Sequence, residues 1–316
     1  MDLFQLETFL AVAEERSFSR AAARLHRTQP AVSQIVRKLE DEIGEVLLDR
    51  AAREGRLTAA GEVLRDYAER LINMRGEATA ALAELKELQR GRLSIAANEY
   101  TCLSLLPLLD AYQKTAPRVK IAVQRSYASR ISDELLSHSV ELGVVSFRPE
   151  DPQVRSIIVY RDELVCAVHP RHPMAKKKAV SIRELGRETF VAHNVPSPLR
   201  QKVEQAFGSH NTRLNMTVQL PSLEAIKRYV AMGNGVALAP ALSVKTEIET
   251  GRLVSVPVPE LQFERKLRLV HRRQAKLSHA AKEFLRVAEQ YAAEHGDPYA
   301  YTVERVRESR EASIAE

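Results

Sequence analysis

Cysteine is scarce in this chain. Cys102 and Cys166 stand far apart and show no metal-ligand spacing, so no metal site is expected from them. No run of 18 apolar residues occurs, and nothing therefore reads as a membrane span. The start lacks a cationic and then apolar leader, which makes the cytoplasm the expected compartment. No Ser-His-Asp or paired-carboxylate pattern is legible, so catalysis has no positive support and no cofactor is expected. What remains is a composition of 45% hydrophobic and 28% charged residues, ordinary for a globular protein. With 316 residues it has room for two or three domains, each with its own core.

A net charge of +6 permits an acidic partner without naming one. Position says more. Residues 1–60 carry nine Lys/Arg against ten Asp/Glu, yet six of those cations fall between Arg16 and Lys38, where there is no acid. Ser17 or Ser19 can cap a short helix containing Arg20-Ala21-Ala22-Ala23-Arg24-Leu25, mostly strong helix formers. His26, Arg27 and Thr28 break it. Pro30 then suits the first turn of a second helix. There Val32, Ile35, Val36 and Leu39 recur at helical spacing, leaving Gln29, Ser33, Gln34, Arg37 and Lys38 on the other face. Those polar groups can bond base edges and phosphates, so the pattern predicts a helix-turn-helix. A helical hairpin with a solvated basic face fits the motif alone. The sequel Glu45-Val46-Leu47-Leu48-Asp49-Arg50, a turn around Glu54-Gly55, and Leu57 add a β-wing.

This order, SFSRAAARLHRTQPAVSQIVRKLE followed by LL.R..R...LT.AG, resembles the N-terminal domain of the LysR-type transcriptional regulators. The family usually has Phe where Leu48 stands. In front of it, Leu3, Leu6, Phe9, Leu10 and Ala13 share one face of a supporting helix. Behind it, from Thr58 to Arg90, Leu64, Tyr67, Leu71, Met74, Ala78, Ala81, Leu85 and Leu88 form a heptad seam that calls for another helix. The resemblance implies that this is the dimerising linker helix, paired antiparallel.

From Gly91 the periodicity changes. Strand Arg92–Ala97, helix Leu103–Gln113, strand Val119–Val123, helix Ile131–Ser137 and strand Leu142–Val145 predict a parallel sheet with helices on its faces. A second unit opens at the strand Glu163–Val168. It continues through segments at Ser181–Leu185 and Phe190–Ala192, helices Pro198–Phe207 and Ser222–Met232, and strand Val236–Ala239. Strand Lys266–His271 and helix Ser278–Tyr291 follow. The stretches GRLSIAAN…LLPLL, DELVCAVHPRHPMAKKKAVSIRELGRETFVAH, LEAIKRYVAMGNGVALAP and KLRLVHRRQAKLSHAAKEFL resemble the effector-binding domain of the same family. The fold class implied is therefore α plus α/β: a winged helix-turn-helix (1–58), a linker helix (59–90), and a two-lobed domain of the type 2 periplasmic-binding-protein fold. Lobe 1 is 91–162 with 266–293, lobe 2 is 163–265, and 294–316 reads as a polar tail or frayed helix. Where the family shows Gly-x-Leu-Asp, this chain has His138-Ser139-Val140-Glu141, so the strand is expected to survive while the helix end and the local pocket rim differ from the family's.

Other chemistry has plain alternatives. Gly233-x-Gly235 ends a helix and precedes a strand, the reverse of a dinucleotide fingerprint, so Gly233 reads as a helix C-terminus with positive φ. His169 and His172 sit among prolines in a surface turn, and His193 reads as structural. Cys102, near a helix start, is where a dipole can lower a thiol pKa, although a small buried Cys is the default.

The expected DNA-binding residues are Thr28, Gln29, Pro30, Ser33, Gln34, Arg37, Lys38, Arg50, Arg53 and Arg56. The expected effector residues line a cleft between lobes. They are Asn98, Glu99, Tyr100, Thr101, Cys102, Ser129, Phe147 and Arg148 from lobe 1, and Pro196, Ser197, Arg200 and Ser222 from lobe 2. Arg148, Arg200 and the helix N-termini point to a small anionic effector, and Glu99 opposes a purely anionic one. The expected partners are double-stranded DNA with an inverted-repeat operator, a small-molecule effector, RNA polymerase for an activator, and a second copy in a homodimer or homotetramer. A solute-binding protein or a small-molecule enzyme on the same scaffold is the competing reading. The first leaves residues 1–90 unexplained, and the second would show turnover.

Overall fold

A computed structural model describes residues 1–49, 56–86, 91–262, 265–295 and 301–305. They fold as two compact units, the first ending with a long helix and the second beginning with a strand.

In the first unit, α1 (Leu3–Glu15) starts at a reciprocal cap between Asp2 and Gln5, and α2 (Phe18–Arg24) starts at Ser17, whose side chain accepts from the Arg20 N–H. Helix α3 (Gln29–Ile43) has Pro30 in its first turn and stops at Gly44, whose φ of 80° is cheap only for glycine. Leu6, Phe9 and Leu10 of α1 meet Val32, Val36 and Leu39 of α3 in one apolar core. Two short strands, β1 (Leu48–Asp49) and β2 (Arg56–Leu57), pair antiparallel as the base of the wing. The wing turn lies outside the described residues.

Helix α4 (Ala59–Lys86) begins where the Gly61 N–H donates to Thr58 Oγ1 at 3.0 Å. A Cβ on Gly61 would lie 2.1 Å from the Leu47 carbonyl oxygen, so only glycine lets α4 start against the wing. The expected seam divides here. Leu64 turns inward with Ala68 and Ile72 to the helix-turn-helix core, which packing on α1 requires. Tyr67, Leu71 and Met74 remain exposed at 59%, 42% and 47%.

The second unit has two lobes. Lobe 1 is a mixed six-stranded sheet in the order β13-β6-β12-β5-β3-β4. Its parallel part is β3 (Arg92–Ala97), β4 (Lys120–Arg125) and β5 (Leu142–Val145). The antiparallel part is β6 (Val154–Asp162), β12 (Arg265–Arg272) and β13 (Tyr301–Arg305). The three strands expected to be parallel are so, and the sheet is extended by antiparallel strands on its other side. Strand β6 lies between expected elements, although Val-Arg-Ser-Ile-Ile-Val-Tyr is rich in β-branched residues. Strand β13 stands where a polar tail or frayed helix was expected, and Tyr301-Thr302-Val303 has the same strand propensity.

Helix α5 (Glu99–Thr115) starts four residues earlier than its periodicity suggests, because Asn98 and Thr101 form a reciprocal cap. The shift leaves Pro107 in mid-helix. Helix α6 (Ile131–Leu136) follows β4. Helix α11 (His279–His295) packs on α5, with the Tyr112 and Phe284 rings edge to face at 5.4 Å and the Tyr112 hydroxyl donating to the Ala280 carbonyl. At the departure from the family pattern, Glu141 accepts from the Ser278 hydroxyl at 2.8 Å at the start of α11.

Lobe 2 contains β7 (Leu164–Val168), α7 (Ile182–Leu185), β8 (Val191–His193), α8 (Pro198–Ser209), β9 (Val218–Leu220), α9 (Leu223–Ala231), β10 (Ala237–Pro240), α10 (Ala241–Glu249) and β11 (Val254–Val256). Strands β10-β7-β11 form an antiparallel sheet, and β8 pairs β9 in parallel. Gly233 and Gly235 carry φ of 89° and 88° between α9 and β10, and a Cβ on Gly235 would meet the Thr189 carbonyl oxygen at 2.4 Å. They shape a turn.

Candidate DNA-reading helix and ligand cleft

Helix α3 shows two kinds of side chain. Its apolar stripe is buried, while Gln29, Pro30, Gln34, Arg37 and Lys38 are exposed and Ser33 is half-buried. Thr28 precedes the first turn in extended conformation, and its side chain makes no capping bond. Arg20 and Arg24 of α2 turn back to the acids of α1, and Arg27 lies 5.7 Å above the Phe4 ring. Arg37 and Lys38 are exposed and form no salt bridge among the described residues, although the Lys38 charge acts on Glu42. On the far side of α3, Glu40 is buried and its Oε1 accepts from the Leu47 N–H at 2.9 Å and the Leu48 N–H at 3.3 Å. That carboxylate fixes the wing to α3, a role no periodicity reveals. Arg56 is exposed on β2 opposite Asp49, whereas Arg50 and Arg53 lie outside the described residues.

Between the lobes of the second unit lies a cleft of about 550 Å³, a volume suited to a small molecule. Of the expected effector residues, Asn98, Glu99, Tyr100, Ser129, Pro196, Ser197 and Arg200 line it. Thr101, Cys102, Phe147, Arg148 and Ser222 do not. Thr101 is fully buried, holding the α5 cap and facing the Val144 carbonyl. Cys102 packs on the lobe 1 core, and burial pushes its thiol up, not down as a helix dipole would. Arg148 lines a separate groove of lobe 1 with Glu150 and Arg155. Ser222 Oγ accepts from the Ala225 N–H as the cap of α9.

One acid joins the two lobes. Glu99, in the first turn of α5, accepts the Leu223 N–H on Oε1 at 2.9 Å, and so occupies the N-terminus of α9. Its Oε2 lies 3.4 Å from His193 Nε2. The Val195 N–H donates to His193 Nδ1 at 3.2 Å, which selects the tautomer with its proton on Nε2, facing Glu99. His193 is thus a cleft residue and not merely structural. Tyr100 stands 6.0 Å from the His193 ring, and burial, reinforced by the Glu99 charge, pushes its hydroxyl up to about 12.

The cations of the cleft are mostly matched. Arg265, first in β12, pairs with Asp162, last in β6, at 2.6 Å, with side chains 6% and 2% exposed. Burial pushes Asp162 up and Arg265 down, each opposed by the partner's charge. Arg200 Nε pairs with Glu204 at 3.1 Å, and its Nη1 donates to the His193 carbonyl. Arg125 is at the rim, exposed. Much of the remaining wall is apolar, including Phe190, Leu199, Leu214, Met216 and Ile226, with Ser126, Ser146 and Asn194 among its polar groups. Leu199 belongs to the stretch expected to face the cleft, whereas sequence reading missed Phe190, Leu214, Met216, Ile226 and Arg265, because they come from segments far apart in the chain. Among the described residues no group of three or more His, Cys, Asp or Glu could hold a metal ion, and no helix is long and apolar enough to cross a membrane.

Comparisons with known proteins agree along the chain. Residues 3–62 match the bacterial regulatory helix-turn-helix proteins of the lysR family, and residues 86–293 match the LysR substrate binding domain. The chain is 33% identical over 284 residues to the RuBisCO operon transcriptional regulator of Allochromatium vinosum, covering 90% of this chain and 94% of that protein. It is 31% identical to the probable RuBisCO transcriptional regulator of Cyanidioschyzon merolae, covering 84% and 90%. Among solved structures, CbnR, a LysR family transcriptional regulator, superposes with a TM-score of 0.72 at 22% identity, covering 92% of this chain and 99% of that one. The exposed face of α3, the two-lobed cleft and these matches make the chain a member of the LysR family, a DNA-binding transcriptional regulator and not an enzyme.

Proposed function

We propose that the protein controls transcription by reading an operator with α3 while a small molecule in the cleft biases its conformation. Gln29, Ser33, Gln34 and Arg37 read base edges in the major groove, with Pro30 setting the first turn of the reading helix. Thr28, Lys38 and Arg50 hold phosphates, and Arg53 and Arg56 of the wing reach the minor groove or its phosphates. The exposed polar face of α3 carries this reading. The uncovered apolar face of α4 at Tyr67, Leu71 and Met74 supports pairing with a second copy, as dimer or tetramer, and hence an inverted-repeat operator. Ligand binding shifts the population of cleft arrangements and, through the oligomer, the binding of DNA. An activator of this kind also meets RNA polymerase, and the site of action is the cytoplasm. The names of the relatives favour an operon for RuBisCO as a target.

The test is selection of bound fragments from a genomic library by the full chain, with salt varied. A short inverted repeat should be enriched, its affinity falling steeply as salt rises. Binding that ignores both sequence and salt would sink the proposal.

A further inference from the structure

The cleft's electrostatics name a ligand class different from the anion that the sequence suggests. A helix N-terminus facing a cleft ordinarily favours an anion. At α9 that place is already filled by the Glu99 carboxylate, through the Leu223 N–H. A second carboxylate entering there would meet Glu99 Oε2 in a site of reduced dielectric, where like charges repel strongly. Among the described residues no interior cation that lines the cleft is free to offset this. Arg265 is held by Asp162, Arg200 by Glu204, and the His193 proton faces Glu99 without need of a charge on the ring. Arg125, at the exposed rim, is screened by solvent.

Two buried atoms state what the cleft does lack. Glu99 Oε2 has only the long 3.4 Å contact from His193 Nε2 and makes no other hydrogen bond among the described residues, so it can still accept from a donor. Arg265 Nε has no hydrogen-bond partner among the described residues, although the residue is only 6% exposed and lines the cleft. With its charge already matched by Asp162, Arg265 calls for a neutral acceptor oxygen. Around both, the lobe 2 wall of Phe190, Leu199 and Met216 offers apolar surface to a ligand body.

We infer that the cleft takes a small, mainly apolar, non-anionic molecule whose polar end donates to Glu99, such as an alcohol, phenol or amine, and that Glu99 excludes carboxylates. The inference rests on the cleft being the ligand site proposed above. A buried carboxylate that both tethers the lobes and faces the ligand acts as a selectivity element, rejecting the wrong head group by charge.

The experiment is an NMR titration of the full chain, wild type, E99Q and L199W, with 2-phenylethanol, 2-phenylethylamine and 3-phenylpropanoate. Wild type should bind the alcohol and the amine at least tenfold more tightly than the carboxylate. The amide oxygen in E99Q can still accept the Leu223 N–H, so this variant should keep the alcohol, weaken the amine about tenfold and strengthen the carboxylate about tenfold. The bulkier side chain of L199W, on the apolar wall, should remove all three. Carboxylate binding as tight as alcohol binding in wild type, unimproved in E99Q, overturns the ligand class while loss in L199W preserves the cleft as the site. If no probe binds wild type, or L199W binds all three unchanged, the cleft reading falls and this inference with it.

Discussion

Helix α3 and the interlobe cleft treat charge in opposite ways. On α3, Arg37 and Lys38 stand in solvent without a salt bridge among the described residues, next to the exposed Gln34. In the cleft, Arg265 and Arg200 each face an acid of their own chain. The first arrangement suits a polyanion, because an unpaired surface cation loses little hydration and releases counterions when it meets phosphate. The second suits a ligand that brings no charge, since a pocket whose ions are already matched gains little from another. Two kinds of recognition are thus distinguished by whether the protein supplies its own counter-charge.

The contrast is broken most forcefully at Asp162. Replacing it with Ala strands the Arg265 guanidinium, which is 6% exposed and loses its 2.6 Å partner. Removing one half of a buried pair costs about 3–5 kcal/mol, and chemical unfolding of Asp162→Ala should show a loss of that order. Lys38→Ala should stay within about 0.5 kcal/mol of wild type, as a solvated surface site does. Equal stability losses in the two variants would show that the cleft pair is no more dependent on its partner than a surface cation.

At the DNA end the expected effects are smaller and separable. Gln34→Ala should cost about 1–3 kcal/mol of discrimination at one base pair, seen by competition among operator variants. Lys38→Ala should weaken every sequence alike and lower the slope of log affinity against log salt by about 1. If both variants change sequence preference equally, Lys38 belongs among the base readers and the division of the α3 face is wrong.

These two regions also differ in how far the sequence reveals them. The α3 face was legible because its residues lie close together on one helix, where a period of 3.6 separates Val32, Val36 and Leu39 from Gln34, Arg37 and Lys38. The cleft draws on residues from Asn98 to Arg265, contributed by both lobes. Position after the first strand led to Glu99 and Tyr100, which line the cleft, and also to Thr101 and Cys102, which do not. It could not mark His193, whose ring is aimed by a turn, nor Arg265, whose partner is 103 residues away. The same limit applied to Glu40, which looks like one more acid in a charged helix end until the wing folds onto it. Strand β6 was missed for another reason. Its inner run is buried on both sides by neighbouring strands and helices, so it lacks the alternation by which a half-buried strand is seen.

The smallest effect sharpens the comparison from inside the cleft. Arg200 and Glu204 form an i, i+4 pair on α8, with side chains 21% and 46% exposed. Such a pair contributes only about 0.3–0.5 kcal/mol, so Glu204→Gln should leave the unfolding midpoint almost unchanged. It does, however, release the Arg200 Nε from its acid while Nη1 remains on the His193 carbonyl. A carboxylate probe should then bind somewhat better than to wild type, by less than the gain in Glu99→Gln, because Arg200 is nearer solvent and Glu99 still repels the probe. Titration of 3-phenylpropanoate into both variants gives the ranking directly. A gain in Glu204→Gln equal to that in Glu99→Gln would transfer the control of ligand charge from the acid between the lobes to the arginine at the rim.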